Sequence, residues 1–204
     1  MHPIELLGLS LALVSMAALP GLSVLMVTSD TLVRGFRSGV YTAAGIVIGD
    51  VIWLLLAFSG LVTVYPLLDN HWFIVRFIAA LVLIYLAMGL LWQRQNKSAQ
   101  SALSANRNDW QGFIAGLMLT LADFKAILFY VAILPAFVEV SSLALIDMFI
   151  LLIITIGSVA VSKLAYVVAA ARLGENLAFT SLNKLRFLFA LMLLVIAVWL
   201  LIQA

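Results

Sequence analysis

Six apolar runs, each long enough to cross a bilayer, dominate this sequence and limit what it can fold into. About twenty such residues span roughly 30 Å of hydrocarbon as a helix, at 1.5 Å per residue. The runs lie near residues 4–29, 40–65, 72–93, 111–138, 145–171 and 185–203. They lack the apolar–polar alternation of a barrel strand, and a helix satisfies its own backbone groups in lipid. Hydrophobic residues make up 66% of the 204-residue chain and charged ones only 10%, more apolar surface than a soluble domain of this size can bury. The expected fold is an all-α integral membrane protein with six transmembrane helices, its surface solvated by the lipid bilayer.

Several chemistries fall away at once. The chain has no cysteine, which removes disulfides, thiolate metal sites and thiol relays. The formal charge of +2 reports basic loops rather than a nucleic-acid surface, so no nucleic-acid partner is expected. No Ser/His/Asp grouping or HExxH motif is present, and His2 and His71 fall at the ends of spans. An enzyme is therefore not expected, and neither is a cofactor or a resident metal. The first twenty residues are apolar like a signal peptide but carry Glu5 with no Lys or Arg ahead of it, and read as a retained first helix.

Charge placement orients the spans. Arg34 and Arg37 fall between spans one and two, Arg94, Lys97 and Arg107 between three and four, and Arg172, Lys184 and Arg186 between five and six. The positive-inside rule makes that side cytoplasmic and puts both termini outside. The polar stretch 94–110 then links two three-span units, residues 1–93 and 111–204. An odd number of spans per unit makes the second run opposite to the first, giving two inverted three-helix repeats.

Each unit opens with an overlong span. About 26 and 28 residues would extend roughly 40 Å as continuous helices, so a break is expected in both. In the first, "ALPGLS" supplies it: Pro20 removes a backbone donor, and Gly21 frees the dihedrals. In the second, "TLADFKA" supplies it, with Asp123 as N-cap of the next half-helix and Lys125 in its first turn. Interrupted helices at matching places in inverted repeats mark substrate sites in secondary transporters. On a continuous helix Asp123 and Lys125 would not face each other, but at a break both can point into one cavity.

Two more ionisable residues lie inside spans. Asp50 is about eleven residues into span two, roughly 16 Å deep, where a charge needs a partner or a cavity. Lys163, in span five, reads equally as a structural or a functional group. "GIVIG" and "GFIAG", residues 45–49 and 112–116, carry small residues four apart and are expected to pack helices closely.

With these residues in place, the chain resembles the lysine exporter superfamily, in particular its homoserine/threonine resistance branch. The first signature lies in "LPGLSVLMVTSDTLVRGFRSGVYTAAGIVIGDVIWLLLAFSGL", where Gly35, Arg37, Gly39, Gly49 and Asp50 match the family's Gly-x-Arg-x-Gly and Gly-Asp elements. The second lies in "FIAGLMLTLADFKAILFYVAILPAFV", similar to the family's Asn-Pro-Lys segment and the Leu-Pro-x-Phe after it. Leu22 and Ser23 replace a Pro-Asn, and Asp123 and Phe124 replace the Asn-Pro, while Lys125 is retained. Ser23 keeps a hydroxyl able to cap or coordinate, and Asp123 brings a charge where the family has an amide.

The resemblance implies proton-driven export of an amino acid or small zwitterion by alternating access, across a bacterial inner membrane. The residues expected to bind substrate or move protons are Pro20, Gly21, Ser23, Asp50, Asp123, Lys125 and Lys163. A homo-oligomer is compatible with the sequence. Two other readings stand beside this one: a divalent-cation exporter using Asp50 and Asp123, which Lys125 opposes by charge, and a noncatalytic scaffold.

Overall fold

The computed structural model describes residues 3–19, 21–68, 72–92, 108–137, 145–173 and 180–202. Expectations for His2, Pro20, His71 and residues 93–107 fall outside these. The described residues form helices joined by short breaks, with no strand among them. In chain order the helices are α1 (Pro3–Ala17), α2 (Leu22–Arg34), α3 (Phe36–Leu68), α4 (Trp72–Trp92) and α5 (Asp109–Leu121). Then follow α6 (Phe124–Phe137), α7 (Leu145–Leu173) and α8 (Thr180–Ile202).

Both breaks expected from length are present. α1 and α2 meet at 56°, and α5 and α6 at 51°. Among the described residues, Phe36–Gly60 and Ile146–Arg172 are each long and apolar enough to cross a membrane, and each bent pair qualifies when taken as one span. The apolar stretches Phe73–Gly89 and Phe187–Ile202 of α4 and α8 are shorter. Large side chains such as Phe149, Ile153 and Val161 point outward from α7, as expected for helices whose solvent is lipid.

One boundary differs from the sequence expectation. No loop separates the first two spans at Arg34 and Arg37: α2 continues through Arg34, and Gly35 alone connects it to α3. Gly35 has φ +91° and ψ 171°, a region essentially closed to residues with a Cβ. Arg34 is therefore a helical residue, not a loop charge. It pairs with Asp30 one turn earlier at 2.6 Å and donates to the Asn108 carbonyl at 3.0 Å. Asp30 is fully buried and also accepts from Thr42. Next to this cluster, Asp109 accepts from Ser38 and pairs with Arg37 at 3.2 Å. Asn108 and Gln111 close a capping box that starts α5.

The small-residue motifs face each other. A Cβ on Gly45 would collide with the Phe113 carbonyl, and one on Gly116 with the Thr42 carbonyl. Gly49 lies similarly tight against Thr120. α3 and α5 thus meet backbone to backbone, the approach that small residues four apart permit. α4 lies along α8, and buried Leu83, Leu193, Phe129, Ile133 and Leu9 join α4, α8, α6 and α1 in one core. A smaller core joins α2, α3 and α7 through Val27, Ala43, Ile46, Val159 and Val167.

Candidate functional site

Each break frees backbone groups that a continuous helix would pair, and neighbouring side chains take up several of them. At the first break, Lys163 of α7 donates to the Ala17 carbonyl at 2.7 Å and to the Ser23 hydroxyl at 2.9 Å. One ammonium therefore ties the end of α1 to the start of α2. Tyr166, one turn further along α7, donates to the Ala18 carbonyl at 2.8 Å. At the second break, Trp53 of α3 donates to the Thr120 carbonyl at 3.2 Å.

The two half-helices that follow the breaks begin differently. Asp123 caps α6, its carboxylate accepting from the Lys125 backbone N–H at 3.0 Å, as the sequence suggested. α2 begins after Gly21, which has no side chain to offer, and no side-chain cap is formed. The second half-helix thus receives an anion from its own chain, whereas the first does not.

α6 carries a further irregularity. Its central turn, Phe129–Ile133, is π-helical, with the Leu134 N–H bonded to the Phe129 carbonyl. Pro135 accounts for it physically: it cannot donate to Val131 and its ring crowds that carbonyl, so the turn widens. Tyr130 sits in this turn, almost wholly buried at 1% exposure. Its hydroxyl lies beside Asp50 and Thr155 without a hydrogen bond of good geometry to any protein atom.

These features meet at one cavity of about 40 Å³ between the breaks. Its polar lining is Ser23, Asp50, Thr120, Asp123, Tyr130 and Lys163. Leu13, Met16, Ile46 and Val159 form an apolar wall. Asp50 is within electrostatic reach of both Lys163 and Asp123. Since one water needs about 10–15 Å³ of such space, the cavity accommodates only a few waters.

Four residues expected from the sequence, Ser23, Asp50, Asp123 and Lys163, therefore line one chamber. Lys125 does not: its ammonium lies by the first break, 3.8 Å from where a Cβ on Gly21 would stand. Gly21 is the N-cap of α2, and Pro20 is outside the described residues. Sequence reasoning missed Tyr130, Thr120 and the buried Asp30. The signal for Tyr130 was Pro135 five residues on, which marks a disturbed turn without giving its direction. Among the described residues, no group of three or more His, Cys, Asp and Glu side chains is gathered as a metal site would need.

A cavity with charged and polar lining between two broken helices, inside a chain with an apolar exterior, defines a membrane protein with an ionisable interior. The chain belongs to the LysE type translocator family, which matches it over residues 14–204. It is thus a member of a transporter family and not an enzyme. It is 32% identical over 200 residues to an uncharacterized membrane protein of Synechocystis sp., covering 98% of this chain and 97% of that one. It is 33% identical over 126 residues to leucine efflux proteins of Salmonella typhimurium and Salmonella typhi. That match covers 60% of this chain and 58% of each of those proteins. No solved structure matches the chain.

Proposed function

We propose that this chain exports an amino acid, with an aliphatic one favoured, from the cytoplasm by proton-coupled alternating access. In this reading it crosses a bacterial inner membrane six times with both termini outside, residues 1–93 and 111–204 being inverted repeats. The observation that carries the proposal is the single chamber holding Asp50, Asp123 and Lys163 between two helix breaks. An amino acid brings both signs of charge, and such a chamber offers both carboxylate and ammonium groups to meet them.

The asymmetry of the breaks supports one orientation of the substrate. The uncapped start of α2 leaves N–H groups for a carboxylate, with the Lys125 ammonium close by. The start of α6 is already occupied by Asp123 and is closed to a second anion. Asp50, which also lines the chamber, receives the substrate ammonium and, when the substrate has left, a proton. The apolar wall suits an aliphatic side chain, and the leucine efflux relatives make leucine the first to test.

A chamber of this size is too small for an amino acid such as leucine, so binding one requires it to widen. That supports a cycle between contracted and open forms. A divalent cation is disfavoured because the Lys163 ammonium shares the chamber with the carboxylates.

The test is uptake into inside-out vesicles containing the purified protein, with a pH gradient and a panel of amino acids. Gradient-dependent accumulation of leucine or another aliphatic amino acid is expected. Accumulation of none of the panel, from protein shown to be folded, would overturn the reading.

A further inference from the structure

Among the described residues that line the chamber, Tyr130 has a fully buried hydroxyl that lies beside Asp50 and Thr155 but forms no hydrogen bond of good geometry. A buried hydroxyl without a partner costs about 1–3 kcal/mol, so it is retained at a disadvantage unless something else meets it. The other polar groups are largely committed. Lys163 spends two of its three donors on Ala17 and Ser23, Thr120 donates to the Gly116 carbonyl, and Asp123 caps α6. The phenol is buried at the cavity wall beside Asp50 and makes no well-formed bond of its own. It also stands on the π-helical turn that Pro135 brings about, and such turns are frequent at functional sites.

Resting on the export reading above, we propose that Tyr130 is a substrate-binding and specificity-determining residue. Its phenol oxygen accepts an N–H from the substrate ammonium while Asp50 neutralises the charge. A primary ammonium has three N–H donors and needs that many acceptors when taken out of water. The Asp50 carboxylate provides two oxygens, and the Tyr130 oxygen beside it provides another. With its own proton the phenol can bond to Asp50 or Thr155, so a bound ammonium completes an arrangement that is open in the empty chamber. Tyr130 then distinguishes an ammonium with N–H groups from a cation of the same charge without them. Asp50 by itself reads charge, and the phenol reads hydrogen-bond donors.

The experiment compares L-leucine with its N,N,N-trimethyl derivative, which keeps the positive charge and has no N–H. Uptake of labelled leucine into inside-out vesicles is measured for the wild-type protein, Tyr130→Phe, and the outward-facing control Tyr85→Phe. Wild-type and control uptake should resist competition by the trimethyl compound. Tyr130→Phe, which removes only an oxygen, should raise KM for leucine about tenfold, the size of one hydrogen bond to a charged group. The ratio between the two compounds should shrink by a similar factor, with the maximal rate little changed. An unchanged KM and ratio in Tyr130→Phe would overturn the proposal, as would equal competition by the trimethyl compound in the wild type. The second result needs no variant and stands even if Tyr130→Phe does not fold. Absence of transport of every amino acid by the wild type is a different failure, and sinks the export reading itself.

Discussion

Lys163 and Ser23, 140 positions apart in the chain, meet at 2.9 Å at the first helix break, where the same ammonium also holds the Ala17 carbonyl. A long side chain from α7 thereby fixes the angle between α1 and α2. The break is set by a contact from the far end of the sequence as well as by its own Gly.

Replacing that lysine should separate its structural and functional parts. Lys163→Met keeps length and apolar volume but leaves the Ala17 carbonyl and Ser23 hydroxyl without their donor. The expected loss is about 1.5–3 kcal/mol, seen as a lower midpoint of thermal unfolding in detergent, together with loss of leucine uptake. Ser23→Ala removes one acceptor only and should cost about 1 kcal/mol or less.

In the proposed cycle Asp50 accepts the substrate ammonium and, after it leaves, a proton. Asp50→Asn preserves shape while removing the charge, and should abolish pH-gradient-driven uptake in vesicles without lowering the amount of folded protein. Full, gradient-dependent uptake by this variant would remove Asp50 from the cycle.

The buried Asp30 is held by Thr42 and Arg34. Asp30→Ala leaves the Arg34 guanidinium, whose side chain is 8% exposed, without its carboxylate. Breaking a buried pair from one side costs about 3–5 kcal/mol, enough to reduce membrane-inserted, detergent-stable protein sharply. Asp30→Asn should be milder because the Thr42 and Arg34 hydrogen bonds can persist.

Glycines in this chain should divide by what surrounds them. Gly45→Ala drives a methyl into the Phe113 carbonyl and should cost about 1–3 kcal/mol by forcing α3 from α5. Gly35→Ala should cost a similar amount, about 1–3 kcal/mol, through its backbone conformation although the space there is open. Gly60→Ala meets nothing within 4 Å and should leave the unfolding midpoint unchanged or slightly raised.

The residues that converge on the chamber were legible because ionisable groups in apolar spans are costly and so point to cavities. Asp50, Asp123 and Lys163 were found in that way, and length alone exposed both breaks. The facing glycines followed from their spacing. The Tyr130 turn was not legible: a helix apolar on every side has no polar face to reveal a one-residue slip, so the π-helical register leaves no mark in the pattern. Asp30 and Arg34 were hidden by their closeness to Arg37, which made the segment read as a cytoplasmic loop. Their i, i+4 spacing was the available clue to a helix running on to Gly35. The role of Lys163 as a tie across the first break depends on contact between distant segments, which no local pattern records.

Where Gly45, Gly49 and Gly116 bring α3 against α5, the first half of the polypeptide is fused to the second with no cushion of side chains between them. Chain order therefore does not define the pieces that could swing apart. A polypeptide severed between residues 94 and 107 should yield fragments that recover a working carrier only when made together, since neither fragment brings its own closed interior.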